Sequence, residues 1–311
     1  MKSKTPALLA ALSANLIYGI NYVVAKGIMP EFLQPRAIIF IRVIGATIVF
    51  WLISSFLKSE KVAGKDLRTI AIASIFGVVV NQILFFEGLN LSTPINASII
   101  MICVPIAVLV FSKLIRGEKL SLIKIIGIVS GTLGAALLIL DGGRLILSSS
   151  TAIGNLLIVI NASSYALYLV MIKPMMMKYK AITVMRWVFL FGAIGILPFT
   201  THIFLDSNWE EIPLNIWISI GYVVVFTTIL AYLMNNYSLS RISPTSNSAF
   251  IYLQPLFATA IAMAFGKDRP AIEMILPVVL IFLGVYFVSF YGQLKFKSFL
   301  GKNKVQIKID N

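Results

Sequence analysis

The sequence is poor in the residues that most chemistry needs. Its 311 residues include one cysteine, Cys103, and one histidine, His202. A lone cysteine excludes an internal disulfide and any cysteine-based zinc or iron–sulfur centre. A lone histidine excludes metal sites built on two or three imidazoles. No metal or cofactor is expected. Only 12% of the residues are charged and 59% are hydrophobic, whereas a soluble domain averages about 25% and 45–50%. A soluble protein with a large core is excluded, because there are too few charges to coat it. The mean hydropathy is +0.94. Acidic residues are the scarcer sign, 12 against 26 Lys and Arg, for a net charge of +14. What that excess means depends on where the charges fall.

Crossing about 30 Å of hydrocarbon takes about 20 apolar residues. Ten such runs are present: Ala7–Ala25, Ala37–Leu57, Thr69–Leu89, Ile95–Ile115, Leu122–Leu140, Ile153–Ile172, Ile182–Phe204, Ile212–Met234, Thr245–Phe265 and Ile272–Tyr291. They lack the alternation of barrel strands and read as helices. The first run continues past any small-residue cleavage site, which argues against a secretory signal. The expected fold class is all-α integral membrane, with ten transmembrane helices.

With a cytoplasmic N-terminus, 19 of the basic residues fall on inner segments and 5 on outer ones. Arg42 and Arg186 lie within spans. The positive-inside rule then puts both termini in the cytoplasm, and the expected location is the cell (inner) membrane. The +14 excess therefore records orientation and gives no indication of nucleic acid. The lipid bilayer is the expected partner. The Lys-rich tail, residues 293–311, reads as an anchor beside anionic lipid.

The chain also repeats itself. A shift of 147 aligns Tyr18 with Tyr165 and Lys26 with Lys173, and a shift of 144 aligns Arg42 with Arg186. A shift of 150 aligns Pro94 with Pro244, Pro105 with Pro255 and Gly134 with Gly284. Residues 1–148 and 149–292 are the expected repeats. Five helices is an odd number, so the second repeat enters the membrane inverted. Inverted repeats are frequent in secondary transporters, with substrate held at the midplane between the halves.

The stretch Asn15-Leu-Ile-Tyr-Gly-Ile-Asn-Tyr through Lys26, with Arg42 downstream, carries a family pattern. So do Gly88-Leu-Asn-Leu-Ser-Thr-Pro-Ile-Asn-Ala-Ser and Arg116-Gly-Glu-Lys-Leu-Ser, with Gly127, Gly131 and Gly134 behind. The second half echoes it at Ser243-Pro-Thr-Ser-Asn-Ser-Ala, Pro255 and Gly284. From Pro6 to Tyr291 the chain resembles EamA-type members of the drug/metabolite transporter superfamily. It departs at Lys267-Asp-Arg, where that family has Gly-Glu. The resemblance implies export or exchange of small metabolites, often amino acids, without fixing the substrate.

Polar groups inside spans should face a cavity or one another. Asn15, Tyr18 and Tyr22 share one face of the first span, and Asn161, Tyr165 and Tyr168 share the equivalent face of the sixth. Tyr232, Asn235 and Asn236 mark the eighth, Asn81 and Gln82 the middle of the third, and Gln254 the ninth. Together they are the expected substrate-binding residues, a neutral, aromatic-walled site for a small solute. The competing reading is that they join helices. Glu87, the acid inside a span, is either a proton-coupling group or an interfacial acid. Arg42 and Arg186 lie about one turn inside their spans. There, snorkelling to the headgroups is the expectation and a carboxylate clamp the alternative. Pro105 and Pro255 each free a carbonyl four residues back, at Met101 and Ile251, and are possible gating pivots. The glycine face of the fifth span reads as close packing, and His202 as an interfacial side chain.

The expected function is a secondary transporter moving small organic metabolites by alternating access. An integral-membrane enzyme lacks an intramembrane Ser/His pair and paired acids at metal spacing. A non-transporting scaffold or receptor leaves the polar faces unexplained. Oligomeric state is left open, with a monomer plausible.

Overall fold

The computed structural model describes residues 4–57, 60–118, 121–142, 149–264 and 275–289. The loop at Lys267-Asp268-Arg269, Arg144 and the tail at 293–311 lie outside the described residues. Every regular element among the described residues is helical. Seven helices are long and apolar enough to cross a membrane: Thr5–Ile28, Pro35–Ser55, Gly64–Leu91, Asn96–Arg116, Thr151–Lys178, Ala181–Leu205 and Leu214–Arg241. We number these one to four and six to eight. The fifth helix is Leu122–Gly142, and Ile275–Ser289 is a shorter apolar helix, the tenth.

The expected ninth span is composite. Pro244–Ser248 is α-helical, Ala249–Tyr252 is 3-10, and Leu253–Ala264 is α-helical again. The fourth helix is also divided, into Pro94–Met101 and Val104–Arg116. The expected kinks at Pro105 and Pro255 are therefore breaks. Ahead of Pro105 the chain tightens into i→i−3 bonds, Ile102 N to Ile99 O and Cys103 N to Ile100 O. Proline then sits in the first turn of a new segment, where no N–H is required of it.

Equivalent points in the two halves carry the same local devices. The third helix winds into a π-helical turn at Ile75–Val80, and the eighth does so at Val223–Leu230. Thr93 Oγ1 accepts from Asn96 N before Pro94, and Ser243 Oγ accepts from Ser246 N before Pro244. Each is an N-cap followed by proline at the first helical position.

Packing follows the same plan. The first helix lies against the eighth and the sixth against the third, while the second and seventh meet across the middle. Small residues set the close crossings. A Cβ on Gly154 would stand 2.8 Å from Gly88 O, and one on Gly284 would stand 2.6 Å from the Gly131 Cα. The fifth and tenth helices thus touch backbone to backbone, and the glycine face is a packing face as expected. Their opposite faces carry exposed apolar residues such as Leu133, Leu276 and Phe282, which suits contact with lipid.

Candidate functional site

Polar side chains from several spans line a cavity between the helices. The space open to the centre of a water-sized sphere is about 70 Å³. One water needs about 10–15 Å³ by that measure, so the cavity has room for a solute of several heavy atoms. Its walls come from both halves. The first helix supplies Asn15, Tyr18, Asn21 and Tyr22, and the third supplies Asn81, Gln82 and Phe85. The sixth brings Asn161 and Tyr165, the eighth Thr227, Tyr232 and Asn235, and the ninth Asn247, Ile251 and Gln254. Arg42 of the second helix and Met101 of the fourth complete it.

Hydrogen bonds hold these groups in place. Gln254 Nε2 donates to Asn15 Oδ1 at 2.7 Å, and Tyr22 donates from its hydroxyl to Gln254 Oε1 at 3.1 Å. Across the cavity, Gln82 Nε2 donates to the Tyr232 hydroxyl at 2.6 Å. These two residues are 150 positions apart, the repeat shift itself, so equivalent points of the two halves meet there. Asn161 Nδ2 donates to Asn81 O at 2.7 Å, and Asn235 Nδ2 to the Tyr165 hydroxyl at 2.8 Å. Tyr18 stands edge-on to Tyr232, with ring centroids 6.4 Å apart. Two amide oxygens on the wall, Asn21 Oδ1 and Asn161 Oδ1, are buried without a hydrogen-bond partner among the described residues, as is the Thr227 hydroxyl. Such groups are costly to bury unpaired.

Most of the expected binding residues are brought together here. Tyr168 and Asn236 are not among the lining residues. Tyr168 lies behind Tyr165, its ring stacked at 6.1 Å, and donates to Asn236 Oδ1 at 3.0 Å. Asn236 in turn donates to Tyr232 O at 2.9 Å. They support the wall from outside it.

Glu87 is also away from the lining. It is partly exposed at the end of the third helix and accepts from Arg36 Nε at 2.6 Å. His202 is exposed and pairs with Asp206 at 3.1 Å. Arg186 donates to Ser54 Oγ at 2.6 Å and Glu60 O at 3.2 Å, with its guanidinium 5.3 Å from the Trp51 ring.

Arg42 corrects the expectation of snorkelling. It is 3% exposed, donates from Nε to Thr228 Oγ1 at 2.7 Å, and lies 4.6 Å from the centroid of the Phe86 ring. Depth along a helix does not fix which face a residue occupies. Arg42 shares its face with Ile38, Ile39, Val43 and Ala46, all buried.

Two further residues have a role that charge counting did not reveal. Lys26 Nζ donates to Leu89 O, Asn90 O and Ser92 O at 3.0, 2.7 and 3.1 Å. Its repeat equivalent, Lys173, donates to Leu239 O at 2.5 Å and Ile242 O at 2.9 Å. Each closes the C-terminal end of a neighbouring helix, where carbonyls lack helical partners and the dipole favours a cation. Their alignment at a shift of 147 was the available signal.

The chain is 25% identical over 293 residues to an uncharacterized transporter of Archaeoglobus fulgidus, covering 93% of this chain and 98% of that protein. It is 25% identical over 226 residues to the uncharacterized transporter YyaM of Bacillus subtilis, covering 72% and 74%. A probable terminal-alkyne amino-acid exporter of Streptantibioticus cattleyicolor is 22% identical over 213 residues, covering 68% and 69%. One crystal structure superposes with a TM-score of 0.72 over 93% of this chain and 99% of that one, at 17% identity, which shows a shared fold. The EamA-like transporter family matches twice, at residues 5–140 and 152–290. The chain belongs to the EamA-like transporter family, with two copies of its repeat, and is a multi-span membrane transporter.

Proposed function

We propose that the chain exports or exchanges small organic solutes of amino-acid-like size by alternating access, with the solute held in the cavity between the halves. The observation that carries this reading is the cavity itself. It takes amide, hydroxyl and aromatic groups from five helices of both halves, with Arg42 and Met101 from two more, and two of its amide oxygens have no partner among the described residues. Residues 1–148 and 149–292 act as inverted repeats, so that one packing scheme in two orientations supplies two states of similar energy. The breaks before Pro105 and Pro255, at equivalent positions, are the proposed pivots. The orientation that satisfies the charge bias places both termini on the cytoplasmic side of the cell membrane. Similarity to an amino-acid exporter makes amino acids the first solutes to try.

Reconstitution in liposomes tests the proposal. Saturable, solute-specific flux is expected, and Tyr18→Ala or Tyr165→Ala should reduce it while the protein still folds. No saturable flux across amino acids, nucleosides, sugars and small aromatics would overturn the reading. Glu87→Gln addresses coupling. With its carboxylate engaged by Arg36 away from the cavity, the variant should keep its flux under an imposed pH gradient. Loss of gradient-driven flux alone would make Glu87 a coupling group.

A further inference from the structure

We infer that Arg42 is the anchor for a solute carboxylate, which makes the carried solutes monocarboxylates, free amino acids included. The inference rests on the transport reading above and names its substrate class.

Every other side chain on the cavity wall is neutral: amides, hydroxyls, phenols and the apolar Phe85, Met101 and Ile251. Arg42 is the cation among them, and no carboxylate among the described residues lies within ion-pair distance of it. Its one hydrogen bond among the described residues, from Nε to Thr228, excludes side-on pairing through Nε and leaves end-on pairing through the terminal nitrogens. That bond is itself fixed. Thr228 donates its hydroxyl to Val223 O at 2.8 Å, five residues back through the π-helical turn, and so presents a lone pair to Arg42. Phe86 covers a guanidinium face. What remains is the pair of terminal nitrogens, with N–H groups in the fork geometry that matches a carboxylate with two parallel bonds.

A buried guanidinium without a counter-ion is unfavourable, and neutral amides do not cancel its charge. The balancing charge has to arrive with the solute. A single cation in a small cavity suits a single carboxylate, and the unpartnered Asn21 Oδ1 and Asn161 Oδ1 suit the ammonium of an amino acid. A phosphate monoester, with its second charge, would need a second cation, and none is present on the wall among the described residues. The sequence offered both snorkelling and a carboxylate clamp for this residue, and its burial removes the first.

The test compares acids with their amides in proteoliposomes of the full chain. Wild-type protein is assayed for uptake of leucine, phenylalanine, lactate and benzoate, beside leucinamide, phenylalaninamide, uridine, glucose and glycerol 3-phosphate. Carboxylates should be favoured over the matched amides by about 10- to 100-fold, the range for a hydrogen bond to a charged group. Arg42→Gln should lower carboxylate uptake by a similar factor, and Arg42→Lys should restore part of it. Equal uptake of acids and amides, preference for uridine, glucose or glycerol 3-phosphate, or undiminished carboxylate uptake by Arg42→Gln would each overturn the inference and leave transport standing. No uptake of any solute would overturn the transport reading and this inference with it. If Arg42→Gln does not fold, the wild-type comparison of acid with amide decides alone.

Discussion

The bond between Gln82 and Tyr232 lies where equivalent points of the two halves meet, and its strength can be measured. Tyr232→Phe keeps the ring, so the edge contacts to Tyr18 and to Phe189, the latter at 5.2 Å, survive. It removes the oxygen that accepts from Gln82 at 2.6 Å and reaches Gly77 O at 3.2 Å. Both side chains are buried, at 4% and 3% exposure, so the lost partner is replaced at most by water held in the cavity they line. A buried donor left unpaired costs about 1–3 kcal/mol. Side-chain hydrogen bonds within membranes average about 0.6 kcal/mol and reach about 1.7. The single substitution should therefore cost about 1–2 kcal/mol, against about 3–5 for Tyr232→Ala, which also loses the ring. Reversible unfolding of purified protein in mixed micelles reads these values. Gln82→Met, of similar volume, closes a double-mutant cycle, with an expected coupling of about 0.6–1.7 kcal/mol. Additivity within about 0.3 kcal/mol would refute the pairing.

Two further outcomes use the same assay. Gly284→Ala places a Cβ 2.6 Å from the Gly131 backbone, and the overpacking should cost about 1–3 kcal/mol, exceeding the helix-propensity gain of about 1 kcal/mol. Gly27→Ala, with nothing within 4 Å, should be neutral or stabilising; equal behaviour of the two would refute the close crossing. Lys173→Met should lose about 1.5–3 kcal/mol with its carbonyl contacts, and Lys26→Met should do the same, as expected for charged hydrogen bonds. Wild-type stability in either variant would refute the role given to these lysines.

The spans and the repeat were legible because a bilayer leaves few choices. Apolar runs of sufficient length must cross it, and polar groups within them must turn inward. That rule brought Asn15, Tyr18, Gln82 and Tyr165 to the cavity. It also swept in Tyr168 and Asn236, because facing inward and facing a cavity are the same in sequence. Arg42 was misplaced because the second helix is apolar on all sides, and no periodicity shows which side packs against the eighth. The π-helical turns at Ile75–Val80 and Val223–Leu230 have no compositional signature. Pro105 announced a disturbance, but whether a helix bends or restarts at proline depends on the turn before it. Asn247 lies within the Ser243-Pro-Thr-Ser-Asn stretch, and its contact with Asn235 O at 3.2 Å forms only once the eighth and ninth helices are packed.

Lys26 and Lys173 bind main-chain carbonyls. Any residue at Leu89, Asn90, Ser92, Leu239 or Ile242 presents the same oxygen, whatever its side chain. Substituting those positions leaves the acceptors in place, and substituting either lysine removes the contact outright. Across relatives, such a link should have no correlated partner, with the lysine position constrained and the positions it touches free to drift. Methods that infer proximity from paired substitutions are blind to it, although in space it ties the first helix to the end of the third and the sixth to the end of the eighth.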